Sequence, residues 1–233
     1  TRKMILDYLE TVSPEQEEKY LGSLVPVSED GGDTWGEIKK APVTAPHGFI
    51  MLKDGTYLYF GKSYSGNDNG KAPIRAYASK DGLNWELKGT VPIPDGFFDY
   101  QFHEPHVIEL NDGSLLGFIR THEHTSHPSA CNTFSTVSKD GGVTWSDPVE
   151  VEGMTGMPPH FLRHSSGAII CAYAERDDKN SCEKVFISWD DAKTWTDYIL
   201  DDRSDCNDLG YPASVELSNG DILTVYYQRQ PGD

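Results

Sequence analysis

Apolar and polar residues alternate along this chain in short runs, and turn residues separate the runs at regular intervals. His106-Val107-Ile108-Glu109-Leu110 leads into Asn111-Asp112-Gly113, and Ser114-Leu115-Leu116-Gly117-Phe118-Ile119 leads out again. Asn-Gly or Asp-Gly between two such runs predicts a tight hairpin, because glycine takes a positive φ without a Cβ clash. The turn recurs as Leu52-Lys53-Asp54-Gly55, Ser165-Ser166-Gly167 and Leu217-Ser218-Asn219-Gly220. Its glycines are spaced 58, 54 and 53 residues apart. A second marker interleaves with the first. Ser28-Glu29-Asp30-Gly31-Gly32-Asp33-Thr34-Trp35 returns as Ser79-Lys80-Asp81-Gly82-Leu83-Asn84-Trp85, Ser138-Lys139-Asp140-Gly141-Gly142-Val143-Thr144-Trp145 and Ser188-Trp189-Asp190-Asp191-Ala192-Lys193-Thr194-Trp195. The last tryptophans of these segments are 50, 60 and 50 residues apart. Two markers in step define a repeat.

Each unit reads as strand, hairpin, strand, long loop, strand, Asp-containing turn, strand, which are the four strands of a propeller blade. The aspartate is expected to accept backbone N–H groups inside its turn, with the tryptophan ring buried beneath it. The fold class is therefore all-β, a β-propeller of four-stranded antiparallel blades. The expected layout is a single propeller domain over 1–233. A half blade covers about 20–40, blades cover about 46–95, 103–152 and 158–203, and a second half blade covers about 211–229. Read literally, the two half blades pair and close a four-bladed ring; the favoured expectation is a fragment of a larger ring, since half-blade ends otherwise leave strand edges unpaired.

The Asp-turn segments resemble the Asp box of sialidases and related BNR-repeat proteins, over residues 28–195. That resemblance implies six blades. Asp boxes also occur in propellers that are not sialidases, so they speak to fold rather than activity.

Antiparallel order within a blade sends both turns to one face. The starts of the innermost strands and the ends of the second strands then share the opposite rim. Counting back from each hairpin glycine gives Pro46, Glu104, Pro158 and Tyr211 as equivalent starts. Second strands end near Lys62, Arg120, Arg176 and Gln228. A carboxylate, a phenol and several cations are thus expected together. Guanidinium forks hold a carboxylate bidentately, and a phenol becomes a nucleophile when an adjacent glutamate takes its proton. Glu104-Pro105-His106-Val107-Ile108-Glu109-Leu110 with Arg120 is similar to the sialidase segment that carries the catalytic glutamate and a triad arginine. Tyr211-Pro212-Ala213-Ser214-Val215-Glu216-Leu217 is similar to the segment of the nucleophilic tyrosine. By that resemblance Glu104 and Tyr211 are catalytic and Arg120 clamps the substrate's carboxylate. Arg176 is the next clamp candidate and Arg163 a weaker one. The family's first triad arginine and its Asp acid/base come from an N-terminal blade, and no residue of this chain takes those roles. The prolines after Glu104 and Tyr211 depart from the family's best-characterised members.

His47, His106 and His160 sit at or near strand starts and are expected to contact substrate. The cluster His122-Glu123-His124 with His127 lies in a loop and is not expected to hold a metal. The leading expectation is a retaining glycoside hydrolase acting on a terminal acidic sugar, with an acidic oligosaccharide or glycoconjugate as partner and no cofactor. The alternatives are a uronate-active polysaccharide lyase using rim histidines, His47 foremost, and a non-catalytic glycan-binding propeller.

Charge sharpens this. With 37 acidic and 20 Lys or Arg side chains, the formal net charge is −17. That argues against nucleic acid and anionic membrane surfaces as partners, and any bound acid needs a local arginine cluster. No run of 18 apolar residues exists, so no membrane insertion is expected, and no signal peptide is visible. The compartment is left open. Cys131, Cys171, Cys182 and Cys206 lack CxxC spacing, and free thiols are the expected state, with Cys182 in a loop.

Overall fold

The computed structural model describes residues 2–20, 22–63, 73–122, 132–176 and 180–229. The chain divides into two compact units, Thr1–Pro42 and Val43–Asp233. The first carries helices α1 (Arg2–Leu9) and α2 (Pro14–Tyr20), then an antiparallel ribbon of β1 (Ser23–Val25) and β2 (Lys39–Ala41). The helices depart from the all-β expectation. For α2 the local cause is a capping box: Ser13 Oγ accepts the Gln16 N–H at 3.2 Å, and Gln16 Oε1 accepts the Ser13 N–H at 2.9 Å. Pro14 opens α2, where its missing N–H costs nothing.

The second unit holds three four-stranded antiparallel sheets and a hairpin. The first sheet is β3 (Ile50–Met51), β4 (Tyr57–Lys62), β5 (Ile74–Ser79) and β6 (Glu86–Thr90). The second is β7 (Phe102–Glu109), β8 (Leu115–Thr121), β9 (Thr133–Ser138) and β10 (Val149–Glu150). The third is β11 (Gly156–Arg163), β12 (Ile169–Glu175), β13 (Cys182–Ser188) and β14 (Thr196–Asp201). The hairpin is β15 (Gly210–Glu216) with β16 (Ile222–Tyr227). Strands follow one another in chain order within each sheet, and the first strands β7, β11 and β15 are neighbours.

The core lies between successive sheets, which is why the strands are apolar on both faces. From β8, Leu115 and Ile119 join Leu58, Phe60 and Ile74 of the first sheet. Leu116 and Phe118, on the other face, join Phe161, Ile169 and Tyr173 of the third. Gly117 faces Phe60, and a Cβ there would strike its ring.

The Asp-turns hold the outer strands. Asp140 Oδ1 accepts from Ser138 Oγ (2.9 Å) and the N–H groups of Val143 (3.1 Å) and Thr144 (2.9 Å), while Oδ2 accepts from Thr144 Oγ1 (2.6 Å). These donors pull the Asp140 carboxyl down to about 2. Trp145 is buried, donates Nε1–H to the Gly142 carbonyl at 3.1 Å, and stacks on Phe60 of the preceding sheet at 4.6 Å. Trp35 does not follow the expectation. It is 62% exposed, because its turn closes a two-stranded ribbon and not a four-stranded sheet. Cys182 is likewise not in a loop but opens β13 and is buried. Cys171, Cys182 and Cys206 are free thiols, and Cys131 lies outside the described residues. Among the described residues no helix is long and apolar enough to cross a membrane.

Candidate active site

Strands β7, β11 and β15 begin with the same irregularity. Register shifts fall between His103 and His106, between Met157 and His160, and between Gly210 and Ala213. The residues inside these bulges are Glu104-Pro105, Pro158-Pro159 and Tyr211-Pro212. Proline has no N–H for the ladder, so a bulge accommodates it without orphaning a donor. Glu104 and Tyr211 adopt φ of 43° and 53°, the left-handed region. Their side chains meet. The Tyr211 hydroxyl donates to Glu104 Oε1, and Arg120 Nη1 forms an ion pair with Glu104 Oε2. Arg120 comes from β8, opposite His103 in the ladder. Burial and the Glu104 carboxylate raise the Tyr211 phenol above its ordinary value, with Arg120 and Arg176 acting the other way. The resting phenol is neutral and its proton is already shared with a carboxylate.

Arg176 joins from the end of β12. Its Nε–H donates to the Leu209 carbonyl at 2.8 Å, its Nη2 to the Tyr227 hydroxyl at 3.0 Å, and its Cζ lies 5.8 Å from the centre of the Tyr211 ring. Tyr227 stacks on Tyr211 at 6.1 Å and 28°, and its hydroxyl donates to Asp208 Oδ1 at 2.5 Å. Neither Tyr227 nor Asp208 was anticipated from the sequence. The signal was the end of the second strand, taken one residue late at Gln228. In a strand that one step reverses the face, and Gln228 donates instead to Asp201 Oδ2 at 2.9 Å.

Of the other cations, Lys62 lies beside His103 but is turned into the protein, and Arg163 lies away from the site. Lys62 is buried, donates to the carbonyls of Asp99 (2.9 Å) and Phe102, and burial pulls its amine down to about 8. Arg163 donates to Asp191 Oδ1 at 2.9 Å and the Glu109 carbonyl at 3.0 Å, at the Asp-turn end of the sheet.

The three histidines expected to contact substrate form a packed cluster. His47, His106 and His160 have ring centroids 4.7–5.4 Å apart. His106 is 4% exposed, with Nδ1 accepting the Phe161 N–H at 2.9 Å, and His160 Nδ1 accepts the Ser214 N–H at 3.2 Å. Both ring nitrogens of His47 are buried and lack hydrogen bonds, although the Pro212 carbonyl and Glu104 lie near enough to favour its charged form. Burial dominates, holding His47 and His160 at about 4 and His106 well below its ordinary value. His106 and both His47 nitrogens are thus closed off from solvent by packing within the cluster and against Phe161, contrary to the expectation that these rings face outward, whereas His160 is half-buried. Nδ1 acceptance from backbone also puts the proton of His106 and His160 on Nε2, the wrong tautomer for a metal. Among the described residues no cluster of three or more potential ligands fits a metal ion. His122 is described, 6.0 Å from His103 between rings; His124 and His127 lie outside the described residues.

A family model described as a BNR repeat-like domain matches residues 28–224. Comparison with the curated proteins gives no match. Among solved structures, a protein of unknown function from Dyadobacter fermentans is 24% identical with a TM-score of 0.76, covering 91% of this chain and 61% of its own. The NanB sialidase of Streptococcus pneumoniae is 19% identical with a TM-score of 0.66, covering 90% and 33%. The intramolecular trans-sialidase of Ruminococcus gnavus is 20% identical with a TM-score of 0.63, covering 89% and 46%. The chain thus spans less than two thirds of each. At these identities the likeness carries the fold, a sialidase-like propeller type, and not the substrate.

Proposed function

The chain belongs to the BNR repeat-like domain family, and on that premise we propose that it carries the site of a sialidase-like glycoside hydrolase removing a terminal acidic sugar with retention. Its sheets are then blades of a six-bladed β-propeller. The observation behind the reading is the contact of Tyr211 with Glu104, which are 107 residues apart in the chain and stand on different sheets. In the first step Glu104 takes the phenol proton while the Tyr211 oxygen bonds to the anomeric carbon and the glycosidic bond breaks, the aglycone leaving with the bonding pair as an oxyanion. Water then attacks the anomeric carbon: its hydroxyl stays on the sugar, its other proton neutralises the released oxyanion, and Glu104 returns its proton to the Tyr211 oxygen as that bond breaks. A neutral nucleophile suits a substrate that already bears a carboxylate, which a carboxylate nucleophile would repel. Arg120 and Arg176 hold that carboxylate. Tyr211→Phe is expected to lower kcat on an aryl sialoside by about 10²–10⁴-fold in a protein that still melts cooperatively. Full activity in that variant overturns the proposal. A lyase needs an imidazole facing the substrate, and the burial of the His47 nitrogens speaks against it. A new C=C absorbance in the product would favour it instead.

A further inference from the structure

We propose that Tyr227 is a positioning residue, held by Asp208, that fixes both the Arg176 guanidinium and the plane of the Tyr211 ring. This rests on the hydrolase reading for its kinetic consequences, and on geometry alone for the contacts themselves. The Tyr227 hydroxyl has one proton, and that proton goes to Asp208 Oδ1. Its lone pairs are thereby turned toward Arg176, whose Nη2 donates to it at 3.0 Å. Asp208 thus sets the direction of a dipole that it does not itself aim at the arginine. The second anchor, Nε–H to the Leu209 carbonyl at 2.8 Å, comes from the adjacent residue of the same segment. Residues 208 and 209 therefore locate the guanidinium from one side, while Tyr227, on the neighbouring strand, closes the arrangement.

The interposed phenol has a chemical purpose. Arg120 is paired directly with Glu104, so part of its charge is already answered. A carboxylate placed directly on Arg176 would do the same to the second cation, and weaken its hold on a substrate carboxylate. A neutral hydroxyl between Asp208 and Arg176 transmits the anchoring and leaves the cation available. The stacked rings of Tyr211 and Tyr227, 28° apart, restrict rotation of the nucleophile about its ring axis. Tyr227 is 43% exposed, so removing its hydroxyl opens no cavity and its loss is not a packing defect.

The test uses Tyr227→Phe, Asp208→Asn and the double variant, all close to isosteric. Kinetics on an aryl sialoside and calorimetric binding of free N-acetylneuraminic acid are the readouts, with thermal melting as the folding control. KM and Kd are expected to rise about tenfold in each single variant, with kcat within about twofold. The double variant should be no worse than the weaker single, because both changes break one chain of contacts. Unchanged KM and Kd in Tyr227→Phe, or effects that multiply in the double variant, overturn the proposal. If the unaltered protein neither cleaves nor binds the sugar acid, the hydrolase reading fails separately, and the contacts are judged by NMR. With ζ-13C tyrosine, the Tyr211 signal, assigned through Tyr211→Phe, should move in Asp208→Asn, whose side chain meets Tyr227. A Tyr211 signal that stays in place overturns the positioning role as well.

Discussion

Glu104 and Tyr211 occupy the left-handed region without being glycine, at φ 43° and 53°. Such positions cost about 1–3 kcal/mol each and persist where surrounding contacts over-determine them. Here the phenol–carboxylate bond and the Arg120 ion pair do so. The strain has a measurable sign. Tyr211→Gly is expected to be more stable than Tyr211→Ala by about 1 kcal/mol, the reverse of the order found within ordinary strands. Urea unfolding of the two variants decides it, and equal midpoints would show that the backbone there is unstrained. Glu183 presents the opposite case, a side chain with no visible use. It is buried, neither carboxylate oxygen has a hydrogen bond, and it stands across the ladder from Asp201, which Arg203, Tyr226 and Gln228 already satisfy. Burial pushes its carboxyl up to about 8. The folded state therefore holds a proton that the unfolded state lacks between 4.5 and about 8, and stability is lost as pH rises through that window. Glu183→Gln should match the parent near pH 4.5 and exceed it at pH 8.5.

The recurring element of the fold is the Asp-turn with its tryptophan, and its worth depends on what lies beneath. Trp145 fills the space between two sheets against Phe60, so Trp145→Ala is expected to cost about 3–5 kcal/mol. Trp35, in the same motif but 62% exposed, should lose no more than about 0.5 kcal/mol when replaced by alanine. Melting curves of the two variants compare them directly. The turn itself was legible, because serine, aspartate and threonine at fixed offsets bond one another within eight residues. The burial of the ring was not, since it is supplied by a neighbouring sheet tens of residues away. The helices of residues 2–20 were missed although Ser13-Pro14-Glu15-Gln16 spells a capping box.

Across the whole molecule, counting from hairpin glycines brought Glu104 and Tyr211, 107 residues apart, to equivalent strand starts, since register is conserved from sheet to sheet. The same count could not say which way each bulge turns its residues, and so His106 was expected outside and lies inside. That inward cluster couples the fold to pH. Buried and neutral, His47 and His160 titrate at about 4 when folded, and His106 lower, against 6.5 for an ordinary histidine. Burial, with Lys62 and Arg120 alongside, also holds His103 at about 4. Between 6.5 and 4 the unfolded chain binds more protons at these sites, so stability falls as pH drops through that window. Glu183 acts the other way from 4.5 upward, but one carboxyl opposes four imidazoles. Asp140 and Asp190, held at about 2, contribute only below 3.8, outside the window. Urea midpoints should therefore decline from pH 7 to pH 4. His160→Asn, which keeps an acceptor for the Ser214 N–H, should make the decline shallower. An unchanged slope in that variant would locate the acid sensitivity outside the cluster, because His160 is held neutral there itself and, behind burial, helps to hold His106 neutral.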